Sequence, residues 1–180
     1  METAVRILPH YTYTDYKHWE GKWELIDGIP HAMSPAPLPK HQKICMSLGA
    51  VLYNAVKDMG CKKCTVSTPL DYLIAEDTIV QPDVLIYCSE VRTPYLEDTP
   101  VLVVEVSSPS TALKDRHTKY SLYEKSGVKY YLIIQPEPEK ITLFLLDNGS
   151  YTIVKDEHAF QFQFQLDENC TIEVDFSEIW

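Results

Sequence analysis

Val101-Leu102-Val103-Val104-Glu105-Val106-Ser107-Ser108-Pro109 is the stretch on which the fold turns. Four apolar residues run up to Glu105 without a polar break, and Val106 follows it. A strand with one wet face alternates apolar and polar residues; an unbroken β-branched run reads as a strand covered on both faces. Ser108-Pro109-Ser110 then predicts a helix, with a capping serine ahead of a proline at its first position. That helix should run to about Ser126 and stop at Gly127. Lys129 to Ile134 predicts the next strand.

Upstream, Val84-Leu85-Ile86-Tyr87 is a second run of the same kind. Trp23-Glu24-Leu25-Ile26 and Ile29-Pro30-His31-Ala32-Met33 flank Asp27-Gly28. Both turn residues tolerate positive φ, so the segment predicts a β-hairpin. From Lys40 to Met59, apolar residues recur at 44, 48, 51, 52, 55, 56 and 59, which is helical spacing on one face, with Gly60 as the stop. Ser34 to Pro39 reads as a stiff loop before that helix. Cys64–Ser67 and Asp71–Ile74 predict short strands. Downstream, Ile141–Leu146 and Tyr151–Val154 predict two more, turning at Asn148-Gly149. The order hairpin, helix, strands, helix, strands predicts an α/β (α+β) architecture. A central mixed β-sheet is flanked by α-helices, with an N-terminal β-hairpin.

The chain has 180 residues, which predicts one domain spanning 1–180. No apolar run approaches the roughly 20 residues that span a bilayer, and the N-terminus lacks a secretory pattern. Five cysteines, an odd number, fit a reducing compartment better than a disulfide framework. Cytoplasmic location is therefore expected. Cys61 and Cys64 form a lone C-x-x-C, short of the four ligands of a structural zinc site, and read as two thiols at a helix-to-strand turn. The net charge of −10 argues against strong non-specific DNA binding, though not against a local site.

Two acids stand out by position. Asp83 follows Pro82 at the start of one apolar run, and Glu105 lies near the end of the other. An ionised carboxylate beside such runs is costly unless paired or bound to a cation. Acids on adjacent strands could share one hard cation such as Mg²⁺. The other reading is strand-end acids facing water or pairing with nearby lysines. The predicted second helix carries Lys114, Asp115, Arg116 and Lys119. Lys119 either points at the acids or pairs with Asp115 at i,i+4 on a wet surface.

These residues carry a resemblance. Pro82-Asp83 followed by Glu105 resembles the PD-(D/E)XK nuclease superfamily, whose lysine normally stands two residues after the acid; here that position is Ser107. The chain as a whole resembles one branch, the Uma-two family of restriction-endonuclease-like proteins. The matching segments are 23–28, Met33-Ser34-Pro35-Ala36-Pro37 with His41-Gln42, Val80-Gln81-Pro82-Asp83, 103–111, Asp115-Arg116 with Lys119, and 127–132.

The resemblance implies a restriction-endonuclease-like fold and metal-dependent hydrolysis of DNA. It implies Mg²⁺ or Mn²⁺ on Asp83, Glu105 and the Val106 carbonyl, with the lysine moved to Lys119. It also implies roles for Glu24, as a third acid, and for Gln42, as an orienter of water or phosphate. A double-strand cut needs two sites, so a homodimer is expected. Two other readings stand beside this one. One is an inactive nuclease-like domain that binds nucleic acid or protein; the other is a metal-free two-carboxylate hydrolase, for which no aromatic-lined groove is evident.

Overall fold

The computed structural model describes residues 9–33, 38–108 and 114–180, with 114–116 as backbone only. In chain order the elements are α1 (Tyr13–Tyr16), β1 (Trp23–Ile26), β2 (Ile29–Ala32), α2 (Pro39–Asp58), β3 (Thr65–Ser67), β4 (Tyr72–Ala75), β5 (Thr78–Val80), β6 (Val84–Tyr87) and β7 (Leu102–Val106). A π-helical segment (Lys114–Lys119) runs into α3 (Tyr120–Ser126). Then come β8 (Tyr130–Gln135), β9 (Lys140–Asp147), β10 (Ser150–Glu157), β11 (Gln161–Asp167), β12 (Cys170–Asp175) and a 3₁₀ turn (Phe176–Ile179).

A six-stranded sheet in the order β10-β9-β8-β7-β6-β3 forms the centre. It is mixed: β7 pairs parallel with β8, and its other neighbours pair antiparallel. The parallel pair requires a crossover, and the π/α3 segment supplies it. A smaller sheet, β2-β1-β5-β4, and the hairpin β11-β12 complete the architecture. The fold is therefore α+β with a central mixed sheet and an N-terminal hairpin, as the sequence predicts.

The unbroken apolar runs are explained by two cores. Val84, Ile86, Leu102, Val104 and Val106 pack with Ile44, Leu48, Leu52 and Val56 of α2 and with Phe164, Ile172 and Val174 of the terminal hairpin. Leu85, Tyr87 and Val103 pack on the other side with Tyr123 of α3, Tyr131 and Ile26. Alternate side chains of each strand feed alternate cores. The β1–β2 turn takes the positive φ that Asp27-Gly28 permits, 49° and 74°. A Cβ at Gly28 would also collide with the His10 ring, so glycine is required there twice over.

Three expectations need correction. The segment after Ser108 was expected to be one α-helix; it is π-helical from Lys114 to Lys119 and α-helical only from Tyr120. Its expected cap at 109–110, like the proline-rich loop at 34–37, lies outside the described residues. Cys61 and Cys64 are not free thiols. Cys61 is bonded to Cys170 and Cys64 to Cys88, leaving Cys45 as the free cysteine. The cause is long-range packing: β3 lies beside β6, and the terminal hairpin lies against α2. Such bonds persist in oxidising compartments, so cysteine usage gives no argument for a cytoplasmic location. Among the described residues, no helix is long and apolar enough to cross a membrane. Finally, an aromatic hollow does exist on the surface, formed by Tyr11, Trp19 and Trp23 with Pro30.

Candidate active site

The site begins with register. Val84 pairs with Val104, so Asp83 and Glu105 are the next residues outward on neighbouring strands. Glu105 shares the strand face of Val103 by the two-residue period, the face that the crossover covers. Lys119 closes the π-helical segment over that face. π-helical turns inside helices occur frequently at functional sites.

Lys119 Nζ lies 2.8 Å from Glu105 Oε1 and 2.8 Å from Glu24 Oε1. All three residues are nearly sealed: Lys119 is 4% exposed, Glu105 3% and Glu24 2%. The solvated surface position that would make Lys119 only a partner of Asp115 is thus excluded. Tyr123, one turn beyond Lys119, donates its hydroxyl to Glu105 Oε1 at 2.7 Å. Burial and the adjacent Glu105 charge hold the Tyr123 phenol well above its usual range, so it remains a donor.

Glu24 is oriented from behind. It accepts the Gln81 backbone N–H at 3.0 Å, while Gln81 Nε2 donates to Asp71 at 2.8 Å and Tyr16 donates to Asp71 at 3.1 Å. This chain of contacts ties β1 to the segment just before Asp83.

Asp83 is more open than Glu105. Its Oδ2 accepts the Val106 N–H at 2.8 Å and lies 3.3 Å from His41 Nε2. His41 Nδ1 in turn lies 3.5 Å from Cys45 Sγ. The Cys45 thiol is pushed far up by burial and then by the charges of Asp83 and Glu105. Gln42, predicted to orient water or phosphate, is exposed on the first turn of α2, beside His41, which reaches Asp83.

The structure thus brings Glu24, Glu105 and Lys119 into direct contact and sets Asp83 on the adjoining strand end, against the Val106 peptide. Sequence reasoning missed His41, Cys45 and Tyr123. His41 and Cys45 have i,i+4 spacing at the start of α2, and Tyr123 has it relative to Lys119; those were the available signals.

The donor set fits a hard divalent cation. Two carboxylates and a backbone carbonyl are the oxygen ligands such ions take, with waters completing the shell. Ser107, which holds the position of the superfamily's lysine, is buried, and its Oγ has no partner among the described residues. A buried hydroxyl in that state is normally completed by water or an ion.

Comparison with known proteins agrees with this architecture. Residues 12–174 match the Uma2 family model, described as "Putative restriction endonuclease". An uncharacterized protein of Synechocystis is 26% identical over 155 residues, covering 82% of this chain and 80% of that protein. A crystal structure from Anabaena variabilis, described as a "putative nuclease belonging to DUF820", superposes with a TM-score of 0.65 at 16% identity, covering 79% of this chain and 83% of that one. That likeness establishes the restriction-endonuclease-like fold.

Proposed function

The chain belongs to the Uma2 family, and from that premise we propose that it is a divalent-metal-dependent endonuclease hydrolysing DNA phosphodiester bonds. The observation that carries the reading is the buried Lys119 ammonium held between Glu105 and Glu24 beside Asp83. Burying such a group among carboxylates costs desolvation that a merely structural role could avoid with apolar residues.

Asp83, Glu105 and the Val106 carbonyl would hold Mg²⁺ or Mn²⁺, which when bound polarises the phosphate and lowers the pKa of a coordinated water. The protein's own groups do the rest. Asp83, the more accessible acid, faces the incoming phosphate. Glu24, fixed by Gln81, holds Lys119 in place, and Tyr123 fixes Glu105. Lys119 places the attacking water or neutralises charge developing on the phosphoryl oxygens.

The net charge of −10 confines DNA recognition to the site and its rim. A double-strand cut calls for two such sites, so the working form is a homodimer of this domain. A DNA substrate places it in the cytoplasm. There both disulfides would be held reduced, and thiol alkylation in intact cells tests that.

The direct experiment incubates the purified chain with plasmid DNA in Mg²⁺, in Mn²⁺ and in excess chelator. Cleavage should require the cation and disappear in Asp83→Asn. Cleavage that persists in chelator overturns the metal dependence. A folded protein inert in both cations overturns the nuclease reading.

A further inference from the structure

We propose that His41, Cys45 and Asp83 form a binding site for a borderline divalent transition-metal ion, Zn²⁺ or Co²⁺, distinct in ligand chemistry from the hard-cation site. It shares Asp83 with the nuclease reading but does not depend on DNA cleavage.

The argument starts from the ligand atoms. One donor atom from each of the three residues lies within 4.8 Å of the other two. The closest approaches are 3.3 Å, from His41 Nε2 to Asp83 Oδ2, and 3.5 Å, from His41 Nδ1 to Cys45 Sγ. Tetrahedral zinc, with ligands at about 2.0–2.3 Å, holds its donor atoms roughly 3.3–3.6 Å apart. The two contacts use opposite ring nitrogens. An ion therefore takes one nitrogen, with one donor atom of each residue already within 4.8 Å of the other two.

The donor identities then select the ion. Mg²⁺ and Ca²⁺ take oxygen ligands, whereas an imidazole, a thiolate and a carboxylate suit zinc and its neighbours. Three protein ligands leave one position for water or substrate, the pattern of an open zinc site. Binding releases the thiol proton to solvent.

The helix makes the arrangement persistent. His41 and Cys45 share one face of the first turns of α2, which Ile44 and Leu48 anchor to the core. The site is also reachable. His41 and Asp83 are 13% and 24% exposed in their side chains, and Cys45 lines a surface groove with Met46, Gly49 and Tyr53. The hydrolytic reading uses neither His41 nor Cys45. An ion here engages Asp83, so soft-metal and hard-metal states compete for that carboxylate.

The test is a Co²⁺ titration of the full, metal-free chain with its disulfides intact, read by absorption. Wild type should show a near-ultraviolet thiolate-to-cobalt charge-transfer band and visible bands of tetrahedral intensity. Zn²⁺ should displace both. Cys45→Ser should lose the charge-transfer band while keeping the native circular dichroism. Loss of even an outer-shell partner weakens metal affinity about 10–100-fold, so His41→Ala should weaken Co²⁺ binding at least tenfold. Absence of the band in folded wild type overturns the proposal, as does a band that survives Cys45→Ser. The two readings fail separately: the band without DNA cleavage keeps this site and removes the nuclease, and cleavage in Mg²⁺ without the band does the reverse.

Discussion

Lys119 Nζ sits 2.8 Å from Glu105 Oε1, across a sequence separation of 14 residues, with both side chains sealed from solvent. The pair fixes the π/α3 crossover to the end of β7. Glu24 reaches the same ammonium from β1, so one cation joins the small sheet to the central one.

Replacing Lys119 should therefore be felt in stability as well as in rate. Lys119→Ala removes the ammonium that pairs with two buried carboxylates, a change that costs about 3–5 kcal/mol when one partner of a buried pair is lost. Urea unfolding at neutral pH measures it. Single-turnover cleavage should fall by about 10²–10³, the usual worth of one electrostatic transition-state contact. Ser107 shares the face of Glu105, so Ser107→Lys in the Lys119→Ala background should recover part of both losses. Wild-type stability and rate in Lys119→Ala would mean that the lysine is misassigned.

The two acids should behave differently. From sequence, alanine at either acid is expected to relieve mutual repulsion and leave the fold as stable or more so. The structure changes that expectation for Glu105, which accepts from Lys119 and Tyr123. Glu105→Ala removes one of the two carboxylates on the Lys119 ammonium and the acceptor of the buried Tyr123 hydroxyl, and should lower stability by several kcal/mol, on the order of 3–5. Asp83→Ala loses the Val106 N–H bond and the His41 contact at a partly open position and should cost about 1–2 kcal/mol. Melting temperatures without metal rank them. Equal shifts in the two variants would contradict the asymmetry.

That asymmetry marks where the sequence was legible. The apolar runs around Asp83 and Glu105 predicted adjacent, doubly covered strands, because burial on both faces removes polar residues from the strand itself. The Asp27-Gly28 hairpin was legible because positive φ restricts residue choice locally. The π-helical segment was not, since its hydrogen-bond pattern is set by how the crossover docks rather than by a distinct residue pattern. The hairpin β11–β12 escaped as well. Phe162, Phe164 and Leu166 do alternate with Gln161, Gln163 and Gln165, the two-residue period of a strand. Cys170 could not be matched to Cys61 from sequence, because a partner 109 residues away depends on tertiary packing.

The Cys61–Cys170 bond joins the end of α2 to the terminal hairpin and closes most of the chain into a loop. A cross-link over about 100 residues restrains the unfolded chain by up to about 4.7 kcal/mol, and natural disulfides typically contribute about 2–5. Cys170→Ser should lower stability within that range in oxidising buffer and have no further effect in a reductant that also opens the wild-type bond. Equal urea midpoints for wild type and variant without reductant would show that the bond does not form in solution.

The last prediction concerns alkaline pH. Tyr16, Tyr123 and Tyr151 are all held above the ordinary phenol value, first by burial and then by Asp71, Glu105 and Glu124 respectively. The unfolded chain releases those protons near pH 10, while the native state keeps them. Above about pH 10 the unfolded state therefore binds fewer protons than the native one, and stability falls as pH rises. The contribution is complete below that pH and disappears toward the higher native values. Two measurements check this. The urea midpoint should be flat from neutral pH to about pH 9 and then decline. Of the 12 tyrosines, at least these three should stay un-ionised by ultraviolet difference absorbance until circular dichroism reports unfolding. Tyr123→Phe keeps the ring and removes one such proton, so its midpoint should decline less steeply with pH, although it starts lower for want of the 2.7 Å bond to Glu105. All tyrosines titrating while the native signal persists would contradict the burial of these phenols.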